Sequence, residues 1–243
     1  MDSPRSLIVN ADDFGYSRGV NRGIIEAHED GIVTSASLMV DGPAAEEAAG
    51  YSRSRPELSL GLHFELPAWR IRRLMWELSR RQDDRLARTV ATDLRRQLER
   101  FRRLVGSDPT HLDSHKHRHR QEPLRSIYLE VAGELNVPLR HFDPAVRFCG
   151  NFYGQIDNGR PNPAAIAPGA LIELLEALEA EVTELCCHPG YTDGLKAWYR
   201  QERVQEVRTL CDQRVRATIE RLGIRLISFR ERAAQPRSVE VRN

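Results

Sequence analysis

SLIVNADDFG, residues 6–15, runs from apolar strand text straight into two adjacent carboxylates and a glycine. The aliphatic and β-branched start fits a strand, and the glycine fits the turn that ends it. Asp12 and Asp13 then fall at the strand's C-terminal end, where parallel α/β folds assemble their active sites. Neighbouring side chains on a strand point apart, so the pair is expected to serve two roles. Taken in isolation, an aspartate N-cap for a helix starting near Ser17 would explain the same residues.

Further strand text follows at SASLMV (35–40), LSLGLHF (58–64), the THLDSH region (110–115), PLRHF (138–142), TELCCH (183–188) and IRLISF (224–229). Between these segments, apolar residues recur every three or four positions. One series is Val90, Leu94, Leu98, Phe101 and Val105; a second is Val204, Val207, Cys211, Val215, Thr218 and Leu222; a shorter one is Leu171, Leu174, Leu175 and Leu178. Each marks one buried helical stripe. Strand then helix, repeated along the chain, predicts an α/β fold with a parallel sheet covered by helices, either closed as a barrel or open. Residues 147–168, rich in Gly, Pro and Asn, read as a long loop. A single catalytic domain is expected over 1–232, with 233–243 as a frayed tail.

The length of 243 residues suits one such domain. A formal net charge of +1 projects no strong field toward nucleic acid or an anionic membrane, so neither is expected as a partner. Arginines between Arg70 and Arg103 alternate with Glu77, Asp83, Asp84, Asp93 and Glu99 and read as a solvated helix face. The four cysteines form no CxxC pair, which excludes a disulfide framework and a four-thiolate zinc site and suggests a reduced, cytoplasmic setting. No signal-peptide core and no apolar run of membrane-spanning length is visible.

The chemistry concentrates in HLDSHKHRH, residues 111–119, where every odd position is His or Asp. If this stretch is extended, four imidazoles and one carboxylate crowd one face. Such crowding is costly without partners, and a divalent cation relieves it. The spacing does not choose which histidine is a ligand, and His111 and His115 also fit the i, i+4 spacing of a helix. His63 stands alone in the apolar text LGLHFEL (60–66), as a core histidine or a site residue. His188 ends the strand text LCCHPG (185–190) just before a Pro-Gly turn. All four features sit at or near C-terminal strand ends, one common address.

LIVNADDFGYSRGVNRGIIEAHEDGIVTSASLMVDGPAAEEA, LGLHFEL, PTHLDSHKHRH, FYGQ and ELCCHPGY, in this order from about residue 6 to about residue 195, resemble the YdjC-like carbohydrate deacetylases, the group that includes chitooligosaccharide deacetylase. The resemblance implies a single-domain distorted (β/α) barrel with parallel strands and metal-dependent removal of an N-acetyl group from an amino sugar. By the same resemblance, Asp13, His63 and His115 are the metal ligands, Asp12 the general base and His188 the general acid. One divalent ion is expected, Zn²⁺ first, with Mn²⁺, Co²⁺, Fe²⁺ or Mg²⁺ as alternatives. Asp113, His117 and His119 are candidates to support the ligands or bind sugar, and Tyr153 and Trp69 to stack on a sugar ring. The segment after LHF is shorter than in relatives of this kind, which bears on substrate size. Two other classes stay open: a metal-dependent phosphoesterase, and a non-catalytic sugar- or metal-binding member of the fold. The sequence leaves a homodimer open.

Overall fold

The computed structural model describes residues 5–66, 83–156, 159–179, 181–195 and 198–233, with side chains from residue 87 onward in the second of these segments. Trp69, the arginines of 70–82 and the tail from 234 lie outside the described residues. So does most of the short segment after LHF.

The elements in chain order are β1 (Ser6–Phe14), α1 (Arg18–Glu29), β2 (Ser35–Leu38), α2 (Ala45–Ser54), β3 (Ser59–Phe64), α3 (Asp83–Val105), β4 (Leu112–Ser114) and α4 (Leu124–Leu135). There follow β5 (Arg147–Cys149), β6 (Gln155–Ile156), β7 (Arg160–Pro161), α5 (Pro168–Glu176), β8 (Val182–Cys187), α6 (Gln201–Leu210), α7 (Gln213–Arg221), β9 (Arg225–Leu226) and α8 (Phe229–Ala233). The sheet runs β4-β3-β2-β1-β8-β5 with β9 beside β1, and all of these pairings are parallel. It curls into a half-barrel whose edges, β4 and β5, do not pair with each other among the described residues. β1 is the centre: all nine of its residues are buried.

The two faces of this sheet differ in kind. Leu7, Val9 and Ala11 of β1, Ala36 and Leu38 of β2, Leu60, Leu62 and Phe64 of β3, Leu112 of β4 and Leu185 of β8 join one apolar cluster with the helices outside. The alternate positions turn inward, as the period of two requires. At the bottom of the barrel these are apolar: Ile8, Ile227 and Phe229 form a separate small cluster with Val182 against it. Above that plug they are polar: Asn10, Asp12, Ser37, His63, Asp113 and Glu184, all buried.

Ser17 accepts a hydrogen bond from the Val20 N–H at 3.2 Å and so caps α1. The aspartates are therefore free of the capping role. In α1, a Cβ on Gly23 would sit 2.5 Å from the Gly190 Cα, so glycine is what lets the turn after His188 lie against this helix. The α3 stripe is buried at Val90, Leu94, Leu98 and Phe101.

Several expectations are corrected. The series from Val204 to Leu222 is two helices, because the Asp212 side chain accepts from the Arg214 N–H at 2.8 Å and restarts the chain as a new N-cap. PLRHF makes only one bridge, Leu112 to Leu139, before His141 enters the left-handed region at φ 70°. The text 147–168 holds a sheet strand, β5, and the β6–β7 hairpin rather than loop alone. The extended reading of 111–119 holds only to Ser114: residues His115–Arg120 form a 3₁₀ segment in which Lys116 and His117 have φ of 57° and 50°.

Candidate active site

Where β1 meets β2 the register slips between Ala11 and Phe14, and Asp13 takes φ 69°. A left-handed non-glycine residue at such a slip re-aims its side chain. Asp12 and Asp13 consequently do not point apart as a regular strand would require. Asp13 Oδ1 lies 3.3 Å from His63 Nε2, and Asp12 also groups with His63 and Asp113.

Arg140 organises the inner face. Its Nη1 and Nη2 donate to Asp12 Oδ2 and Oδ1, each at 2.7 Å, its Nε donates to Glu184 Oε1 at 2.7 Å, and Nη2 lies 2.8 Å from Asp113 Oδ2. Asn10 Nδ2 donates to Asp12 Oδ1 at 3.0 Å and to Ser37 Oγ at 2.8 Å. Burial works against ionisation of Asp12, but the Arg140 charge outweighs it and holds the carboxyl below its ordinary range. Burial pushes Glu184 up to about 7, with Arg140 pulling the other way.

Ser37 gives its one hydroxyl proton to Asp113 Oδ2 at 2.7 Å, so His111 Nε2, 3.0 Å away, must be the donor in that contact. His111 stacks on Phe229 with centroids 3.9 Å apart, and burial pushes its pKa down to about 3. A Cβ on Gly61 would stand 2.4 Å from its ring, which explains glycine at that strand position. His111 is a neutral core imidazole. His119 is fixed likewise, with Nδ1 2.8 Å from Ser114 Oγ and Nε2 3.1 Å from the Arg140 carbonyl. His117 faces His141, Nδ1 to Nε2 at 3.3 Å.

Asp13, His63 and His115 bring one oxygen and two ring nitrogens within 4.8 Å of one another. His63 Nδ1 lies 2.7 Å from Asp113 Oδ1; donating there leaves Nε2 facing Asp13. His115 Nδ1 lies 3.4 Å from Asp13 Oδ1, and its side chain is 33% exposed. Asp13 Oδ2 accepts from Arg203 Nη2, whereas the buried Oδ1 has no hydrogen-bond partner. A carboxylate oxygen left without a donor and flanked by two imidazoles suits a divalent cation. Asp12 belongs to both of the other three-donor groups and Asp113 to one of them, and there Arg140 shares the carboxylate oxygens, so a cation would be held less tightly than at the Asp13 set. Burial would raise the Asp13 pKa, but Arg203 and the two imidazoles hold it well below the usual carboxylate range.

His188 follows β8, with Nε2 3.9 Å from Asp12 Oδ2 and Nδ1 buried without a partner. Burial lowers its pKa to about 4, so the ring is neutral at pH 7. Its backbone N–H donates to Glu206 Oε2, and its carbonyl accepts from Arg203 Nη1 at 3.3 Å. Tyr199 donates its hydroxyl to Glu206, and Tyr153 stacks on Tyr199 at 4.7 Å, 5.5 Å from the His188 ring. Tyr153 is 39% exposed, so one flank is open to a ligand.

Sequence reasoning missed Arg140, Arg203 and Glu206. The single local hint is charge inside otherwise apolar periodic text at PLRHF and along α6, where Arg203 and Glu206 are buried.

A family model described as YdjC-like protein matches residues 6–221 of this chain, beyond the last quoted motif. A carbohydrate deacetylase of Geobacillus stearothermophilus is 36% identical over 250 residues, covering 94% of this chain and 98% of that protein. A chitooligosaccharide deacetylase of Klebsiella pneumoniae is 33% identical, covering 93% and 99%. Among solved structures, a protein of Enterococcus faecalis V583, provisionally named a cellobiose-phosphate cleavage protein, superposes with TM-score 0.76 at 26% identity, covering 94% of this chain and 99% of that one. The polysaccharide deacetylase Bc1974 of Bacillus cereus shares the fold at TM-score 0.57 and 11% identity, covering 96% and 95%.

Proposed function

We propose, from the premise that this chain belongs to the YdjC-like protein family, that it is a metal-dependent hydrolase removing the N-acetyl group from an amino sugar, as in a chitooligosaccharide or related glycan. The observation that carries the reading is the unclaimed Asp13 Oδ1 between His63 and His115, beside Asp12 and His188. The catalytic unit is taken as residues 1–232.

Asp13, His63 and His115 hold the ion, and Asp113 keeps His63 in the tautomer that ligation needs. When bound, a divalent ion in this set supplies Lewis acidity toward the amide carbonyl and makes water easier to deprotonate. Asp12, kept ionised by Arg140, accepts the proton of the attacking water. The water oxygen bonds to the carbonyl carbon, the C–N bond breaks, and acetate and a free amine leave. His188, neutral at pH 7 and 3.9 Å from Asp12 Oδ2, is free to take up that proton and deliver it to the departing nitrogen. Glu206 and Arg203 fix the His188 backbone, and Tyr153 offers a face for a sugar ring.

The test is acetate release from N-acetylglucosamine oligomers after chelation and resupply of Zn²⁺, Mn²⁺, Co²⁺, Fe²⁺ or Mg²⁺. Metal-dependent acetate release is expected. Phosphate release from sugar phosphates without acetate would favour the phosphoesterase reading instead, for which the name of the Enterococcus faecalis structure gives a reason to look.

A further inference from the structure

The inner face carries a donor that the proposed reaction does not use. Side chains alternate along β8, so Glu184, Cys186 and, one step past the strand, His188 follow one another on the inner side, while Leu185 and Cys187 join the outer apolar cluster. Cys186 is 4% exposed, and its Sγ lies 3.5 Å from Asp12 Oδ2. The same oxygen is 3.9 Å from His188 Nε2, and the three ligand atoms fall within 4.8 Å of one another. None of these residues belongs to the Asp13, His63 and His115 set.

We infer that Asp12, Cys186 and His188 form a second cation site, one for thiophilic divalent ions such as Zn²⁺ and Cd²⁺, which shuts the enzyme down when such ions are in excess. The spacing fits. Sulfur at ~2.3 Å and oxygen at ~2.0 Å from one tetrahedral zinc stand about 3.5 Å apart, which is the Cys186–Asp12 separation. A nitrogen and an oxygen on the same ion stand about 3.3 Å apart, so the His188 ring, at 3.9 Å from Asp12 Oδ2, has to close by about 0.6 Å. Its side chain is 21% exposed, which leaves an approach.

Donor chemistry favours a cation here too. Arg140 faces Asp12 and Asp113 together, so two carboxylates share one guanidinium, with Arg203 and His63 as the other basic groups nearby. Asp12 Oδ2 takes Arg140 along one lone pair and turns another toward sulfur and imidazole. The guanidinium nearby makes this the weaker of the two sites. A sulfur donor separates it from the Asp13 set, since Mg²⁺ and Mn²⁺ gain little from a thiolate. On binding, the Cys186 thiol gives its proton to solvent.

The shutdown rests on the proposed function, because an ion held here occupies Asp12 and His188, the two groups assigned to proton transfer. The binding does not. The full-length protein, stripped with chelator, is titrated with Co²⁺ and followed in the near ultraviolet. A sulfur-to-cobalt charge-transfer band is expected to grow only past the first equivalent, to vanish in Cys186→Ser and Cys186→Ala, and to persist in Asp13→Ala. Circular dichroism confirms that each variant is folded. No band at any ratio, or one that survives in folded Cys186→Ser, overturns the second site. In the acetate assay, Zn²⁺ above one equivalent should suppress wild-type turnover, and half-inhibition of Cys186→Ala should need at least about tenfold more Zn²⁺. An equal requirement in both would also sink the proposal. Absence of acetate release with the band present would remove the proposed function while leaving the site.

Discussion

On the outer face of β3, Leu60, Leu62 and Phe64 press against the helix layer; on its inner face, one residue out of step, Gly61 and His63 look onto His111, Asp113 and Asp13. The outer contacts are non-directional, so an apolar side chain there can be replaced by another of similar volume. The inner groups are stable only as a set. Asp12, Asp113 and Glu184 are tolerable in the interior because Arg140 meets all three, and Asp13 because Arg203 meets one of its oxygens. One strand thus carries stability on one side and chemistry on the other, and substitutions on the two sides should separate these properties.

The largest effect is expected at Asp12. Asp12→Asn preserves shape but removes the proton acceptor, and turnover should fall about 10²-fold to 10⁴-fold with bound metal retained. Asp13→Ala should instead lose the metal itself, read by metal analysis of the dialysed protein. Full activity with equal metal in both variants would break the division of labour on the inner face.

Arg140→Met comes next, because it leaves Asp12 and Asp113 buried without their cation. The unfolding free energy should drop by about 3–5 kcal/mol in urea titrations. A drop below about 1 kcal/mol would mean that the inner face tolerates loss of a partner as readily as the outer one tolerates repacking. On the outer face, Leu60→Ala removes a side chain 2% exposed and should cost about 2–5 kcal/mol. Turnover per folded molecule should stay within about twofold, since the Leu60 side chain lies in the outer apolar cluster, on the opposite face of the sheet from the polar groups. A turnover loss matching that of Asp12→Asn would show that the two faces are coupled.

The same contrast explains what the sequence made legible. Outer-face residues announce themselves by hydrophobic period, so β1, β3 and β8 and the α3 stripe stand out in the text. β5, three residues among Gly, Pro and Asn, has no period to read. The histidine run keeps a strand-like period in the text while the chain turns through left-handed residues at Lys116 and His117, because period alone does not record φ. Asp12, Asp13, His63, His115 and His188 stand out because few residue types carry such chemistry. Arg140 and Arg203 do not, since their partners lie 128 and 190 positions away and arginine is abundant throughout the chain.

The smallest effect is a pH dependence at Glu184, which tests whether Arg140 holds its three carboxylates equally. Burial raises the Glu184 pKa from an ordinary 4.5 to about 7. Between those two values the folded chain keeps a proton that the unfolded chain has already released. Stability therefore falls as pH rises through that window, and above it the full cost of the buried ionised carboxylate remains, no longer changing with pH. Glu184→Gln cannot titrate, yet its side-chain oxygen can still accept from Arg140 Nε as Glu184 Oε1 does at 2.7 Å. Relative to wild type, the variant should gain stability steadily from about pH 5 to about pH 7, by at most on the order of 3 kcal/mol, and then level off. Urea titrations at four pH values across that range read the difference directly. A difference flat with pH would mean that Glu184 is ionised throughout and that Arg140 serves it as fully as it serves Asp12.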